Sequence, residues 1–238
     1  MTALTAEQQA AAGTVVMDEA RANGASDEEI ARLAIQWAKQ QFGDRLGLLS
    51  SMADEALVHL AASAAPGLDV VFLDTGYHFA ETLGTRDAFA GSTDITLLNI
   101  TPIQTVPEQD AQYGERLYER DPNQCCAMRK VEPLNRALQS YDCWISGMRR
   151  EDSATRAAIG VIEFDAKRDK VKVNPLADWD SKQLDSYIEV NRVMLNPLRQ
   201  LGFTSIGCEP CTKVVASGDD PRSGRWAGTN KIECGLHE

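Results

Sequence analysis

The sequence predicts an α/β fold with a mainly parallel, twisted sheet and helices on both of its faces. Three observations lead to this class. Short apolar segments of strand length alternate along the chain with longer helical patterns, which is typical of repeated strand-helix-strand units. The strand segments are apolar at nearly every position, as expected of strands buried on both sides. With 238 residues, 43% of them hydrophobic, the chain is long enough for one domain with a sizeable core.

The elements are predicted in a regular order. Residues 1–43 contain two helical patterns, and Ser26-Asp27-Glu28-Glu29 precedes the second as an N-cap signal. Buried strands are predicted at four later segments: Leu46–Ser50, Val70–Asp74, Ile95–Ile100 and Cys143–Met148. Further helices are predicted near residues 53–63, 78–89, 125–139 and 181–193. A hairpin or edge pair is predicted at Ile159–Asp165 and Lys170–Val173.

Charge and hydropathy exclude several classes of protein. The net charge of -11 argues against non-specific nucleic-acid binding, and an anionic ligand would need a local cluster of basic side chains. No run of about eighteen apolar residues is present, so no membrane span is predicted. The N-terminus is amphipathic and acidic and lacks the basic-then-apolar order of a signal peptide. We therefore expect a cytoplasmic protein whose thiols stay reduced.

Four of the six cysteines form two close pairs, Cys125-Cys126 and Cys208-Glu209-Pro210-Cys211. Two pairs from distant segments can complete a four-thiolate site for zinc or for an iron-sulfur cluster. Adjacent cysteines point in different directions, which favours a cluster with several irons over one zinc ion. Lys130 follows Cys126 at helical i,i+4 spacing, so its charge can face the same site. Cys143 lies in a predicted apolar strand and is interpreted as part of the core.

The sixth cysteine, Cys234, lies near the end of a segment rich in Gly, Ser, Asp, Arg and Thr that begins at Gly207. This composition predicts a mostly irregular, mobile tail that includes a functional loop. A thiolate on such a tail can react with a bound substrate and then meet a second protein. The alternative is an incidental thiol on a frayed terminus. His237, three residues further on, can stabilise the thiolate or bind the ligand.

Candidate anion-binding groups follow several of the predicted strands. Ser50 and Ser51 precede a predicted helix whose first amides can receive a phosphate or sulfate, although a simple N-cap is the alternative. The turn at Leu73-Asp74-Thr75-Gly76 closes the next strand, where open α/β sheets bind ligands. Arg149-Arg150 offers forked donors at the end of another strand. Two more arginines, Arg222 and Arg225, lie in the tail ahead of Cys234.

Taken together, these segments resemble the assimilatory adenylyl-sulfate / phosphoadenylyl-sulfate reductases in their iron-sulfur bacterial form. The likeness runs from about Leu46 to the end of the chain. It rests on seven segments in this order: Leu73–Phe79, Cys125–Leu134, Gly147–Arg150, Val173–Leu176, Ser205–Thr212, Arg222–Trp226 and Glu233–His237. One departure is Val193–Pro197, where many members carry a proline before the Asn-Pro, and it falls in a connecting segment.

The resemblance implies an adenine nucleotide alpha hydrolase-like fold and an enzyme of sulfate assimilation and cysteine biosynthesis. That enzyme would reduce adenosine 5'-phosphosulfate (APS) to sulfite and AMP with electrons from thioredoxin, through an S-sulfonate on Cys234. It implies a [4Fe-4S] cluster on Cys125, Cys126, Cys208 and Cys211, and places Lys130 between cluster and substrate. Ser50 and Ser51 would belong to the phosphate loop and Leu73 to Gly76 to the nucleotide-binding turn. The remaining phosphosulfate contacts would be Arg149, Arg222, Arg225 and His237.

On this basis the chain is expected to form one structural domain in three parts. These are N-terminal helices (1–45), a nucleotide-binding core with the first cysteine pair (46–206), and the second pair with the catalytic tail (207–238). Because the sequence carries no fused thioredoxin-like domain after Glu238, the electron donor is expected in trans. Whether the enzyme forms a homo-oligomer stays open, as does the role of residues 1–45.

Alternative functions make different predictions. The 3'-phosphorylated substrate (PAPS) is the first, because the side chains that read the ribose cannot be placed from sequence. An ATP-using adenylating or RNA-thiolating enzyme is the second, but Ser51 and Met52 stand where its loop has two glycines. A non-enzymatic iron-sulfur sensor or zinc-stabilised binding module is the third, and it would leave Cys234 dispensable.

Overall fold

The computed structural model describes residues 4–216, 218–229, 231 and 233–236. Six strands form one sheet in the order β3-β2-β1-β4-β6-β5. β5 runs antiparallel to β6, and the other neighbours are parallel. The strands are β1 (Leu46–Ser50), β2 (Leu68–Leu73), β3 (Ile95–Ile100), β4 (Cys143–Ile145), β5 (Ile162–Asp165) and β6 (Lys170–Val173). The predicted hairpin is the antiparallel β5–β6 pair.

Nine α-helices are present in the described part of the chain. They are α1 (Ala6–Ala22), α2 (Asp27–Phe42), α3 (Glu55–Ala64), α4 (Ala80–Ser92), α5 (Val106–Tyr113), α6 (Leu117–Arg120), α7 (Pro122–Cys126), α8 (Glu132–Ala137) and α9 (Ser181–Asn191). Reciprocal capping boxes satisfy free backbone groups at four helix starts; the N-caps are Thr5, Ser26, Thr105 and Asp180. None of the described helices has both the length and the apolar character needed to cross a bilayer.

The central strands β1, β2 and β4 are buried on both faces of the sheet, which confirms the predicted class, whereas the edge strand β3, predicted to be buried, is only partly buried. In β2, Val70 and Phe72 belong to the larger core cluster, which includes residues of α1, α2 and α3. The alternate residues Val71 and Leu73 belong to a second cluster. Leu134 of α8 packs in that second cluster. Because side chains alternate between faces along a strand, helices are required on both sides.

The predicted helix over residues 125–139 is divided in the structure. α7 ends at Cys126, a π-helical turn spans Ala127–Val131, and α8 follows. Pro133 has no N–H to continue the regular ladder, which favours a local change of helical register. The turn keeps Cys126 and Lys130 within electrostatic range of each other. The helices α5 and α6 are absent from the prediction, since they are short and mostly polar.

Candidate active site

The carboxyl ends of β1, β2 and β4 open into a cavity of about 670 Å³. β1 lies between β2 and β4; the chain runs outward from β1 to β2 and β3 and then returns to β4 on the other side of β1, so the strand order reverses here. Crevices of this kind are where open α/β sheets bind ligands. Most of the residues predicted from the sequence to bind substrate or to take part in catalysis line this cavity. They are Ser50, Ser51, Leu73, Thr75, Lys130, Arg149, Arg222, Arg225 and Cys234.

The loop after β1 is held in shape by its own side chains. The Ser50 hydroxyl donates to Asp54 Oδ1 at 2.6 Å and accepts from the Met52 backbone N–H at 3.0 Å. Met52 has a φ of 56°, a left-handed conformation that usually favours glycine. Its side chain is fully buried in the core. The packing of this side chain therefore offsets the cost of a backbone conformation in which glycine is usually found.

Asp54 also lines the cavity, and sequence analysis did not identify it. Although the side chain reaches the cavity, burial raises the pKa of its carboxyl to about 6, partly offset by the Ser50 hydrogen bond. Removing a carboxylate from water disfavours its charged form. No pattern in the sequence signals this, because the carboxyl becomes buried only when the loop packs.

Replacing Asp54 with asparagine is expected to stabilise the protein near neutral pH. The folded-state pKa of about 6 exceeds the ordinary value of 3.8 for an aspartate, so the folded state binds more protons between these values and stability falls as pH rises through them. The D54N variant should gain at most about 3 kcal/mol at pH 7.5 over wild type. Urea unfolding at pH 4.5 and 7.5 should show that the difference in the free energy of unfolding between D54N and wild type increases with pH. An equal difference in stability at both pH values would contradict the raised pKa of Asp54. Asp18→Asn on α1 is the control.

The turn after β2 joins the cavity to the second cysteine pair. Leu73 and Thr75 line the cavity, and Thr75 Oγ1 lies 3.3 Å from Cys208 Sγ. The buried Arg129 donates to the Thr75 carbonyl. This turn therefore places the end of a core strand against a cysteine more than a hundred residues away.

Asp74 and Gly76 shape this turn but do not line the cavity. Asp74 Oδ1 accepts from the Gly76 N–H at 3.1 Å, and its carboxylate lies 3.6 Å from Arg86. Gly76 has a φ of 72°, and a Cβ there would lie 3.0 Å from Arg129 Nη2. The close approach and the positive φ both require glycine.

Acidic side chains hold Arg149 and Arg222 at the cavity, whereas a backbone carbonyl and an aromatic ring hold Arg225. Arg149 lies 2.9 Å from Asp152, and Arg222 Nη2 lies 3.1 Å from Glu233 Oε2. Arg225 donates to the Ile206 carbonyl at 3.2 Å and stacks over Trp226, with its guanidinium 4.5 Å from the ring centre. Burial lowers the pKa of Arg222, while Glu233 opposes that shift. The guanidinium groups are thus fixed at the cavity wall within a protein of net charge -11.

A smaller cavity adjoins the first and is lined by all four paired cysteines: Cys125, Cys126, Cys208 and Cys211. Burial and the neighbouring thiols raise the pKa of Cys125 to about 12 and that of Cys211 to about 11. Thiols whose pKa is raised in this way become thiolates readily only when a metal centre compensates the charge. Among the described residues, no three His, Cys, Asp or Glu side chains are grouped to hold a single metal ion. As predicted, Cys143 is buried in the core, away from this cavity.

Lys130 and Trp226 line both cavities. Burial by itself would lower the pKa of Lys130, but the electrostatic interaction with Cys208, Cys234 and Cys126 outweighs burial and raises the pKa. A cation therefore stands at the boundary between the four-cysteine cavity and the larger cavity.

The tail lies against the larger cavity. Cys234 lines it, together with Glu233 and Leu236. His237 lies outside the described residues. Arg156, which sequence reasoning missed, lines the same cavity and contacts Glu233. Nothing in the local sequence indicates a role for Arg156 at the cavity, because an isolated arginine before two alanines is typical of an exposed surface position.

The fold and the cavity define a class of α/β proteins that carry a ligand cavity at the carboxyl ends of their parallel strands. A protein-family model described as the phosphoadenosine phosphosulfate reductase domain matches residues 47–214. The chain belongs to this phosphoadenosine phosphosulfate reductase family.

Curated relatives agree with this family. The chain is 50% identical over 217 residues to an adenosine 5'-phosphosulfate reductase of Streptomyces coelicolor, covering 91% of this chain and 92% of the relative. It is 49% identical over 213 residues to a protein of the same name from Mycolicibacterium smegmatis, covering 90% and 89%. These levels of identity extend over most of both chains and confirm the predicted resemblance.

Solved structures share the fold. A phosphoadenylyl-sulfate reductase from Candida auris, solved as a phosphate complex, superposes with a TM-score of 0.70 at 24% identity, covering 90% of this chain and 99% of that chain. An FMN adenylyltransferase from Candida glabrata, solved with FMN and an ATP analogue, superposes with a TM-score of 0.58 at 13% identity, covering 87% and 73%. The second likeness shows that the same architecture occurs beyond the reductases.

Proposed function

We propose that this protein reduces APS to sulfite and AMP, using electrons from a dithiol protein of the thioredoxin kind. One observation carries the proposal: the Cys234 thiol and the arginines Arg149, Arg222 and Arg225 border the same cavity at the strand ends. Forked guanidinium donors suit phosphate and sulfate groups, and a thiol beside them can attack a bound sulfur. The names of the S. coelicolor and M. smegmatis relatives support the same substrate.

The proposed reaction has two half-reactions. The Cys234 thiolate attacks the sulfur of the sulfate group, an S–S bond forms, and the S–O bond to the phosphate breaks with release of AMP. A thiolate of the donor then attacks Cys234 Sγ, which breaks that S–S bond and releases sulfite. The second donor thiol resolves the mixed disulfide, so the donor loses two electrons and Cys234 returns as a thiolate. Because this chemistry needs reduced thiols, we place the protein in the cytoplasm.

The residues at the cavity divide these tasks. Arg149, Arg222 and Arg225 would bind the phosphosulfate and stabilise the charge that moves onto the AMP phosphate. The loop at Ser50 and Ser51 would receive the phosphate near the start of α3. His237 is proposed to assist the thiolate or the ligand, on the resemblance alone.

The four-cysteine cavity fits a [4Fe-4S] cluster. Its four thiols come from two segments and line one small space, and the pKa of Cys125 and of Cys211 is raised by burial and by the neighbouring thiols, as expected of ligands that share a metal centre. Cys125, Cys126, Cys208 and Cys211 would hold the cluster, which would supply fixed negative charge beside the substrate cavity. Lys130 would offset part of that charge and direct its own toward the sulfate end of the substrate. No change in the cluster's oxidation state is needed.

The test is sulfite release by anaerobically purified protein with reduced thioredoxin, given APS or PAPS. We expect fast turnover with APS alone. A preference for PAPS would support the proposed reaction but contradict the assignment of APS as the substrate. Release from neither, with the iron-sulfur absorbance present, would contradict the proposal and favour a sensor.

A further inference from the structure

The Glu233 carboxylate, one residue before Cys234, binds two arginines from separate segments. Arg156 donates to it through Nε at 3.1 Å and through Nη2 at 3.0 Å. Arg222 donates to the same carboxylate at 3.1 Å. The side chains of Arg156, Arg222 and Glu233 are only 10%, 18% and 15% exposed. Charge-assisted bonds in so sheltered a place are stronger than surface ion pairs.

A second attachment lies two residues after Cys234. The Leu236 side chain packs against the apolar cluster on the second face of the sheet. Its carbonyl accepts from Arg168 Nη2 at 3.0 Å. Arg168 is itself held by Asp165 at 3.0 Å and lies over the Trp144 ring. The tail is therefore fixed on both sides of the thiol, by an ion-pair network before it and an apolar contact with a hydrogen bond after it.

We propose that Glu233 is a positioning residue for Cys234. Through Arg156 and Arg222 its carboxylate holds the tail in the cavity, so that the thiol faces the bound substrate. The role in turnover rests on the proposed function. The same network is expected to open before a protein donor reaches Cys234, because the thiol lines the cavity and is only partly exposed.

The two half-reactions are therefore expected to respond differently when the network is weakened. In a Glu233→Gln variant the amide nitrogen faces an arginine donor and cannot accept its bond, and the negative charge is lost. Losing charge-assisted bonds should increase the open population of the tail by about tenfold. S-sulfonate formation should slow, and sulfite release from a preformed S-sulfonate by reduced thioredoxin should not slow.

The first readout needs no substrate. The holoprotein is treated with iodoacetamide, quenched, digested with trypsin and analysed by mass spectrometry. Cleavage after Lys231 gives a peptide whose only cysteine is Cys234, and cleavage after Arg136 and Arg149 gives one whose only cysteine is Cys143. In the E233Q variant we expect alkylation of Cys234 to accelerate about tenfold, with Cys143 still protected. Glu28→Gln, which removes a surface ion pair with Arg32, is the control and should match wild type.

The outcomes separate this proposal from the proposed function. Unchanged alkylation of Cys234 in E233Q would overturn the positioning role, even if wild type releases sulfite. Faster alkylation of both Cys234 and Cys143 would indicate general destabilisation and would also overturn it. Faster alkylation of Cys234 alone would support the positioning role of Glu233. If wild type then forms no S-sulfonate with APS, the proposed function fails while the positioning role stands. Glu233→Asp, which keeps the charge on a shorter side chain, should fall between wild type and E233Q.

Discussion

Replacing Cys234 with serine is expected to lower sulfite release from APS by at least about a thousandfold, the scale seen when an enzyme loses its nucleophile. A serine hydroxyl stays protonated at neutral pH, whereas a thiol ionises and attacks readily. Incubation of the variant with APS alone should also yield no S-sulfonate, which mass spectrometry of the C-terminal peptide can measure. Binding of AMP should persist, because the arginines and the strand-end loops of the cavity are unchanged.

Cys143→Ala is the matched control for this experiment. Cys143 lies in β4, is fully buried and lines neither described cavity, so its loss should leave turnover close to wild type. A C234S variant that retains turnover within tenfold of wild type would show that another group attacks the sulfur. The sensor interpretation also predicts that Cys234 is dispensable.

Replacing Arg199 with methionine is expected to reduce the free energy of unfolding by about 3–5 kcal/mol, the usual cost of leaving a buried charge without its partner. Glu55, at the start of α3, has no exposed side-chain surface, and Arg199 donates to its carboxylate at 2.9 Å. Glu55 also accepts from the Asn196 backbone N–H at 2.8 Å. The pair thus fixes the 196–201 segment against the loop that follows β1.

Urea unfolding of the R199M variant measures this effect. The matched comparison is R199M combined with Glu55→Gln, because removing both charges should recover part of the lost stability through coupling between contacting residues. A loss below about 1 kcal/mol in R199M, the range of exposed ion pairs, would show that Glu55 finds another partner or reaches water.

Most of the secondary structure could be predicted because its signals are local. The N-cap at Ser26 forms a reciprocal bond with Glu29, as its spacing predicts. The bounds of β1, β3 and β6 match the predicted segments. The prediction of one continuous helix over residues 125–139 was wrong, because a π-helical turn interrupts it before Pro133. The sequence pattern does not distinguish a continuous α-helix from one interrupted in this way.

The sequence by itself determined the fold class, the two cysteine pairs and the position of a single cysteine in the tail, because strand periodicity and cysteine spacing are local features of the sequence. Only the tertiary structure decided which groups act on one another. Arg156 and Glu233 are 77 positions apart in the chain, and Arg168 and Leu236 are 68 apart. The raised pKa of Asp54 likewise comes from burial by neighbouring elements. Packing creates such contacts between distant segments, and no local pattern of residue types encodes them.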